Sequence, residues 1–432
     1  MSERHCKLMH QKSRRSILKG GLAAAATTAF PLPLYAQDRP LKVGYVSPQT
    51  GPLAVFGETD NFILNGIRQS LAKGLQIGSN SKDIEIIVKD SQSSSSRAAS
   101  VAADLIESDE VNLLLVTATP DTTNPVADQC ELAEVPCAST AAPWEAWYFG
   151  RGGTPERGFD YTYHFFFGLA DALNAYTSIW NQIKTNKTVG GLFPNDADGD
   201  AWSHAEVGVP GMLPNLGYSL INPGTFTNGT DNFTAHIAAF KEANTEILTG
   251  VLNPSDWNTF WRQAQQQGMR PKVATIAKAL VFPAAVSTLG DLADGLTMEV
   301  VWAPNFPFVS SLTNESSAEL ASRWTIETGK PWTPPLGWTH AVFEVGINAL
   351  ATASDPYDRE SVNEALAATD IITTLGQVNF RKGPFGRNVS ITPLVGGQWR
   401  LGGDFRFEVD IISNDFLPTV PLTADLRSLH DI

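Results

Sequence analysis

Cysteine is nearly absent: three residues in 432, too few for a disulfide framework or a thiolate metal cluster. Cys6 lies near the start, and Cys130 and Cys137 sit seven positions apart across an expected helix-to-strand turn. That spacing suits neither a metal site nor a redox CxxC. In an oxidising compartment the two could pair, but two buried free thiols are the expected state. Long apolar runs are scarce too. The stretch from Gly20 to Leu34 is rich in Ala, Gly and Thr and is broken by Pro31 and Pro33, and no later stretch is long enough to span a bilayer. Catalytic signatures are missing: there is no GxSxG elbow, no HExxH, no P-loop, and no GxGxxG after the first expected strand. The five histidines beyond residue 36 (His164, His204, His236, His340, His430) are isolated in sequence. Basic residues are in deficit, with 31 Lys and Arg against 45 Asp and Glu.

What is present begins with Ser13-Arg14-Arg15-Ser16-Ile17-Leu18-Lys19, an arginine pair before the short apolar run that ends at Tyr35-Ala36. A basic segment, a short apolar segment and a small residue in that order form an export signal, and the paired arginines mark the bacterial twin-arginine route. The mature chain is then expected to begin near Gln37, in the periplasm. Six basic residues and one acidic residue fall in 1–36, so the formal charge moves from −14 to −19 on their removal. So negative a surface repels nucleic acid and anionic lipid, and neither is an expected partner. The five Asn-x-Ser/Thr sequons are chance matches in a bacterial protein.

About 396 residues exceed one ordinary core, so two domains are expected. Strand and helix patterns alternate from Leu41–Val46 onward, and the alternation restarts after residue 160. That pattern predicts an α/β protein with two doubly wound parallel sheets. Sites in such sheets form at the carboxyl ends of strands, where helix N-termini present free N–H groups. The loops at those ends are polar: Ser47–Gly51, Thr117-Ala118-Thr119, Ser139-Thr140-Ala141, Asn195–Asp198, Asn253-Pro254-Ser255 and Lys278. Some are helix caps, but their hydroxyls and amides also suit a carboxylate. Asp196, Asp198 and Asp200 alternate as in a calcium loop, but the glycine and the distant acid are missing at the required offsets, so no metal is expected. Trp257 and Trp261, one helical turn apart, should pack on their own sheet, whereas Trp144 and Trp202 fall where they could line a cleft.

The order of segments resembles the periplasmic solute-binding proteins of ATP-binding-cassette importers, in the branched-chain amino-acid and amide group. It is carried by Lys42-Val43-Gly44-Tyr45 through Thr50-Gly51-Pro52 and Phe56-Gly57, by Asn124-Pro125-Val126-Ala127, by Gly168-Leu169-Ala170-Asp171, by Asp231-Asn232-Phe233, by Arg262-Gln263-Ala264 and by Gly376–Phe380. The resemblance implies a type I fold of two lobes joined by three crossings, near Gly168, Trp302–Phe306 and Gln377–Gly383. The lobes would be 37–167 with 303–377, and 168–302 with 378–432. It further implies a ligand carboxylate held by Thr117, Ala118, Thr119, Ser139, Thr140 and Ala141, with Phe56 on its apolar part and Asp198, Trp202 and Asn253 closing from the second lobe. Where amino-acid binders of this family carry an acid for the ligand's ammonium, this chain has Lys278, and no acidic residue lies between Val273 and Gly290. An aromatic or dicarboxylic acid is therefore expected over a plain α-amino acid. The implied partner is a membrane permease, with no cofactor, no metal and a monomeric receptor. A branched-chain amino-acid or amide binder or sensor is the alternative. A secreted hydrolase using Asp171 or Asp198 as base is the opposing class.

Overall fold

A computed structural model describes residues 39–431, and the export signal read in 1–36 lies outside the described residues. Five strands, β1 (Leu41–Ser47), β2 (Ile84–Asp90), β3 (Leu113–Thr117), β4 (Cys137–Thr140) and β5 (Thr162–Phe165), begin the first sheet. Five more, β6 (Thr188–Leu192), β7 (Ser219–Ile221), β8 (Ile247–Leu252), β9 (Val273–Lys278) and β10 (Thr297–Val300), build the second. The short β11 (Val389–Ser390) returns to the first sheet, while β12 (Val395–Leu401) and β13 (Phe407–Ser413) extend the second.

The first sheet runs β11-β5-β4-β3-β1-β2 and is parallel throughout. The second runs β13-β12-β10-β9-β8-β6-β7, with β12 and β13 antiparallel at one edge. Helices on both faces explain the continuous apolar runs: every residue of β3, β8 and β9 is buried. Helix α1 (Pro335–Thr352) is apolar all round and lies across β3 and β4. Gly346 makes that approach possible, because a Cβ there would meet Leu115 and Leu113 side chains at 2.8 and 2.9 Å. These are the two doubly wound α/β sheets that the alternating pattern predicts.

The chain passes between the sheets after Phe165, after Val300 and after Ser390. The third passage is later than the expected 377–383, because Val389 and Ser390 pair with His164 and Phe165 of β5. Residues 378–390 therefore belong with the first sheet, not the second. Between β6 and β7 lie two short helices, Ala197–Trp202 and Val209–Met212, and at Gly208 between them a Cβ would lie 2.6 Å from the Trp202 carbonyl oxygen. Cys130 and Cys137 are buried and free.

Candidate ligand-binding site

The carboxyl ends of both sheets face one another across a cavity of about 50 Å³. Phe56, Thr119, Ala141, Pro143 and Trp338 wall it from the first sheet's side, and Asp198, Trp202, Val251, Ala277, Lys278, Val281, Phe282 and Glu299 from the second's. Phe166, Phe167 and Val301, at the first two passages, complete the lining. Six of these side chains are aromatic. Phe56 meets Phe282 edge-on at 4.8 Å between ring centres, so an aromatic contact joins the two halves over the cavity. Trp338 lies 5.8 Å from Phe56 and 6.1 Å from Phe166.

The backbone is strained where strands end at this cavity. Ala118 (φ 139°), Ala141 (φ 74°) and Lys278 (φ 66°) all have positive φ without being glycine. Such positions persist only where surrounding packing over-determines them, and they cluster at ligand sites. Ala141→Gly should relieve the left-handed strain and raise unfolding free energy by about 0.5–1 kcal/mol, read as a higher urea midpoint at unchanged slope. A lower midpoint would show that the turn is unstrained.

The polar end of the cavity is built on Lys278. Its Nζ donates to Asp198 Oδ2 at 2.7 Å, with the two side chains only 6% and 4% exposed. Burial alone would lower the lysine's pKa, but the carboxylates of Asp198 and Asp196 outweigh it, so the net shift is upward and the ammonium persists. Asp121, on the first turn of helix α2 (Pro120–Leu132), reaches across to accept from Ala197 N at 3.4 Å. Its carboxylate comes within 4.8 Å of those of Asp196 and Asp198. Burial, then Asp198 and Asp196, push it up to about 6. Glu299 on β10 stands beside Lys278: its Oε1 accepts from Lys278 N at 3.4 Å and its Oε2 from the Tyr176 hydroxyl. Burial raises Glu299 to about 7. The three aspartates have the spacing of a cation site, but the Lys278 ammonium already occupies the Asp198 carboxylate, and Asp200 stands apart from the group.

Of the twelve residues singled out in the sequence, the structure brings six to the cavity wall: Phe56, Thr119, Ala141, Asp198, Trp202 and Lys278. The other six lie beneath it or beside it. The Thr117 hydroxyl is 2.8 Å from that of Tyr45, which donates to Asp60. Ser139 Oγ lies 2.8 Å from His164 Nδ1, while His164 Nε2 is 2.8 Å from the Ala142 carbonyl. Burial drops His164 to about 3, so the ring is neutral; Nε2 donates to the carbonyl and Nδ1 accepts from Ser139. The Ser139 and Thr117 hydroxyls, expected to meet a ligand, thus have partners inside the sheet. Thr140 Oγ1 donates to the Phe165 carbonyl, and Ala118 is buried behind Thr119. Trp144 packs with Phe149, Phe385 and Tyr148 outside the cavity, its indole closed against Gly168, where a Cβ would lie 2.2 Å from Nε1. Asn253 stands at the N-cap position of helix α3 (Pro254–Gln266), outside the lining and without a side-chain cap bond, and on that helix Trp257 stacks on Trp261 at 5.2 Å. Asp171, the candidate base, accepts from Gly168 N at 2.8 Å as a helix cap. The sequence reading missed the aromatic wall of Phe166, Phe167, Phe282 and Trp338, and it missed Glu299, though an acid inside the buried run Thr297–Val300 was the signal for the last.

A cavity at the carboxyl ends of two facing, mainly parallel sheets, walled by both and by the first two of three chain passages, defines a two-lobed ligand-binding protein. The chain belongs to the periplasmic binding protein family, whose pattern matches residues 40–402. Among solved structures it is similar to a leucine binding protein from Thermotoga maritima, at 17% identity and TM-score 0.68, over 87% of this chain and 99% of that one. A solute binding protein of an ABC transporter from Rhodopseudomonas palustris BisB5, in complex with 3,4-dihydroxy benzoic acid, matches at 17% identity and TM-score 0.69, over 87% and 96%. Another R. palustris solute binding protein, in complex with benzoate, matches at 15% identity and TM-score 0.65, over 90% and 98%. No curated protein sequence matches the chain.

Proposed function

We propose that this protein is an extracytoplasmic receptor that binds a small aromatic carboxylic acid and delivers it to an ABC permease, exported by the twin-arginine signal in 1–36. One observation carries the ligand class: the cavity is lined by buried donors that lack an acceptor. Thr119 Oγ1, Trp202 Nε1 and Trp338 Nε1 have no hydrogen-bond partner among the described residues. Indole N–H groups only donate, so the ligand supplies the acceptors. Of the three donors on Lys278 Nζ, Asp198 takes one, which leaves two for the same acceptor group. A carboxylate meets that demand, and the rings of Phe56, Phe166, Phe282 and Trp338 offer faces and edges to a flat apolar body. Binding would close the halves as rigid bodies about the three passages.

Asp198 and Glu299 on the same wall favour one second reading, an α-amino acid whose ammonium they would hold. Calorimetric titration of benzoate against leucine separates the two. The double variant Asp198→Asn/Lys278→Met removes both charges together and so avoids a lone buried ion. Benzoate should bind the wild type, and the double variant should bind it at least tenfold more weakly, since bonds to a charged acceptor contribute about 1.5–3 kcal/mol. Saturable leucine binding without benzoate binding overturns the aromatic-acid reading.

A further inference from the structure

We infer that Glu299 selects ligands carrying a hydrogen-bond donor in addition to the carboxylate, so that the preferred ligand is a hydroxylated or amino-substituted aromatic acid. This deepens the aromatic-acid reading and rests on it. Glu299 lines the cavity and is 3% exposed. A carboxylate presents about four acceptor positions. The Tyr176 hydroxyl fills one on Oε2, while Oε1 receives only the long 3.4 Å approach of Lys278 N. Acceptor capacity on Oε1 is therefore open at the cavity wall. The surrounding donors do not use it: Lys278 Nζ is turned to Asp198, and the Trp202 indole N–H has no partner. An apolar ligand pressed against that oxygen would leave a buried acceptor unmet, whereas a hydroxyl or amino group satisfies it. Sites built this way discriminate strongly, because the analogue lacking the group leaves the protein's polar atom unpaired. The anion and the acceptor lie on one wall, tied through Lys278's own backbone, so a single ring can address both.

Titrating wild type with benzoate and its 2-, 3- and 4-substituted hydroxy, amino and fluoro derivatives tests this. Fluorine changes polarity with little change of size but donates nothing. At least one hydroxy isomer, and the amino isomer of the same position, should bind roughly tenfold tighter than benzoate, with the fluoro isomer no better than benzoate. In Glu299→Gln the preference should shrink to threefold or less, with a circular-dichroism spectrum and urea midpoint reporting whether the variant is folded. Should that variant fail to fold, the hydroxy-against-fluoro contrast on the wild type decides alone. Benzoate binding with no gain from any donor, or an unchanged preference in Glu299→Gln, overturns the role of Glu299 and leaves the aromatic-acid reading standing. No binding by any member of the series overturns that reading and the inference with it.

Discussion

Lys278→Met is expected to cost about 3–5 kcal/mol of unfolding free energy at pH 7.5, among the largest single-residue losses in the molecule. The loss comes from the acids that remain. Lys278 faces the carboxylate of Asp198 at 2.7 Å, and its charge also acts on Asp196, Asp121 and Asp256. Removing it leaves Asp198 buried with no counter-ion and Asp121 within 4.8 Å of two like charges. Asp198→Asn is predicted to be milder, at about 1–2 kcal/mol. Lys278 then keeps Asp196 and Asp121 nearby, and the amide oxygen still accepts from Nζ. The double variant should recover much of the lysine's loss, because neither charge is stranded. Urea unfolding of the four proteins closes the cycle. A Lys278→Met midpoint matching the wild type, or Asp198→Asn proving the costlier change, would show that the pair is solvated and sets no polarity for the cavity.

The fold was legible because its signals are local and repeated. The buried runs Leu113–Thr117 and Ile247–Leu252 read as parallel strands, and helix signals fall between them at βαβ spacing. The third passage was misplaced because β11 is only two residues long, too short for a periodic signal, and its position follows from pairing with β5 rather than from its own sequence. Strand-end loops pointed to the end of the sheets where the cavity lies but could not separate side chains that face the cavity from those that face the sheet. Ser139 and Thr140 are the clearest case. Both read as ligand hydroxyls, yet each is taken by the neighbouring β5, one by His164 and one by the Phe165 carbonyl. A partner 25 positions away leaves no trace in a strand-end motif.

Charge posed a different problem. The absence of an acid between Val273 and Gly290 suggested a cationic site, but the acid arrives from the adjacent strand as Glu299 and from the short helix Ala197–Trp202 of the same half as Asp198. Lys278 is neutralised in the folded protein, so its presence does not by itself repel an ammonium. The ligand preference then rests on unpaired indole and hydroxyl donors, which only the packed structure reveals.

Ligand-free protein is expected to gain stability on acidification from pH 8 to about pH 5, against the usual trend of acid lability. Asp60 is raised to about 7, Asp121 to about 6, and Glu145 and Glu299 to about 7, in each case first by burial. An unfolded chain releases these protons near pH 4, so between pH 4.5 and 7 the folded state holds more of them. Unfolding free energy then falls as pH rises, by about 1.4 kcal/mol per pH unit for each extra proton held. The penalty is complete above about pH 7 and vanishes below the unfolded values. Carboxylates shifted the other way, Asp90, Glu246 and Glu315, stabilise the fold at neutral pH and lose that contribution only below about pH 4. The maximum should therefore lie between pH 4.5 and 5.5, and relief of a formal charge of −14 acts in the same direction. Urea unfolding at pH 8 and pH 5 should differ by at least about 3 kcal/mol. Asp60→Asn should flatten the slope by close to one proton, whatever it does to the absolute value, because Ser47 and Tyr45 would then face a group that does not titrate. A stability that is level or rising from pH 5 to pH 8 would mean that these four carboxyls are ionised in the folded protein across that range.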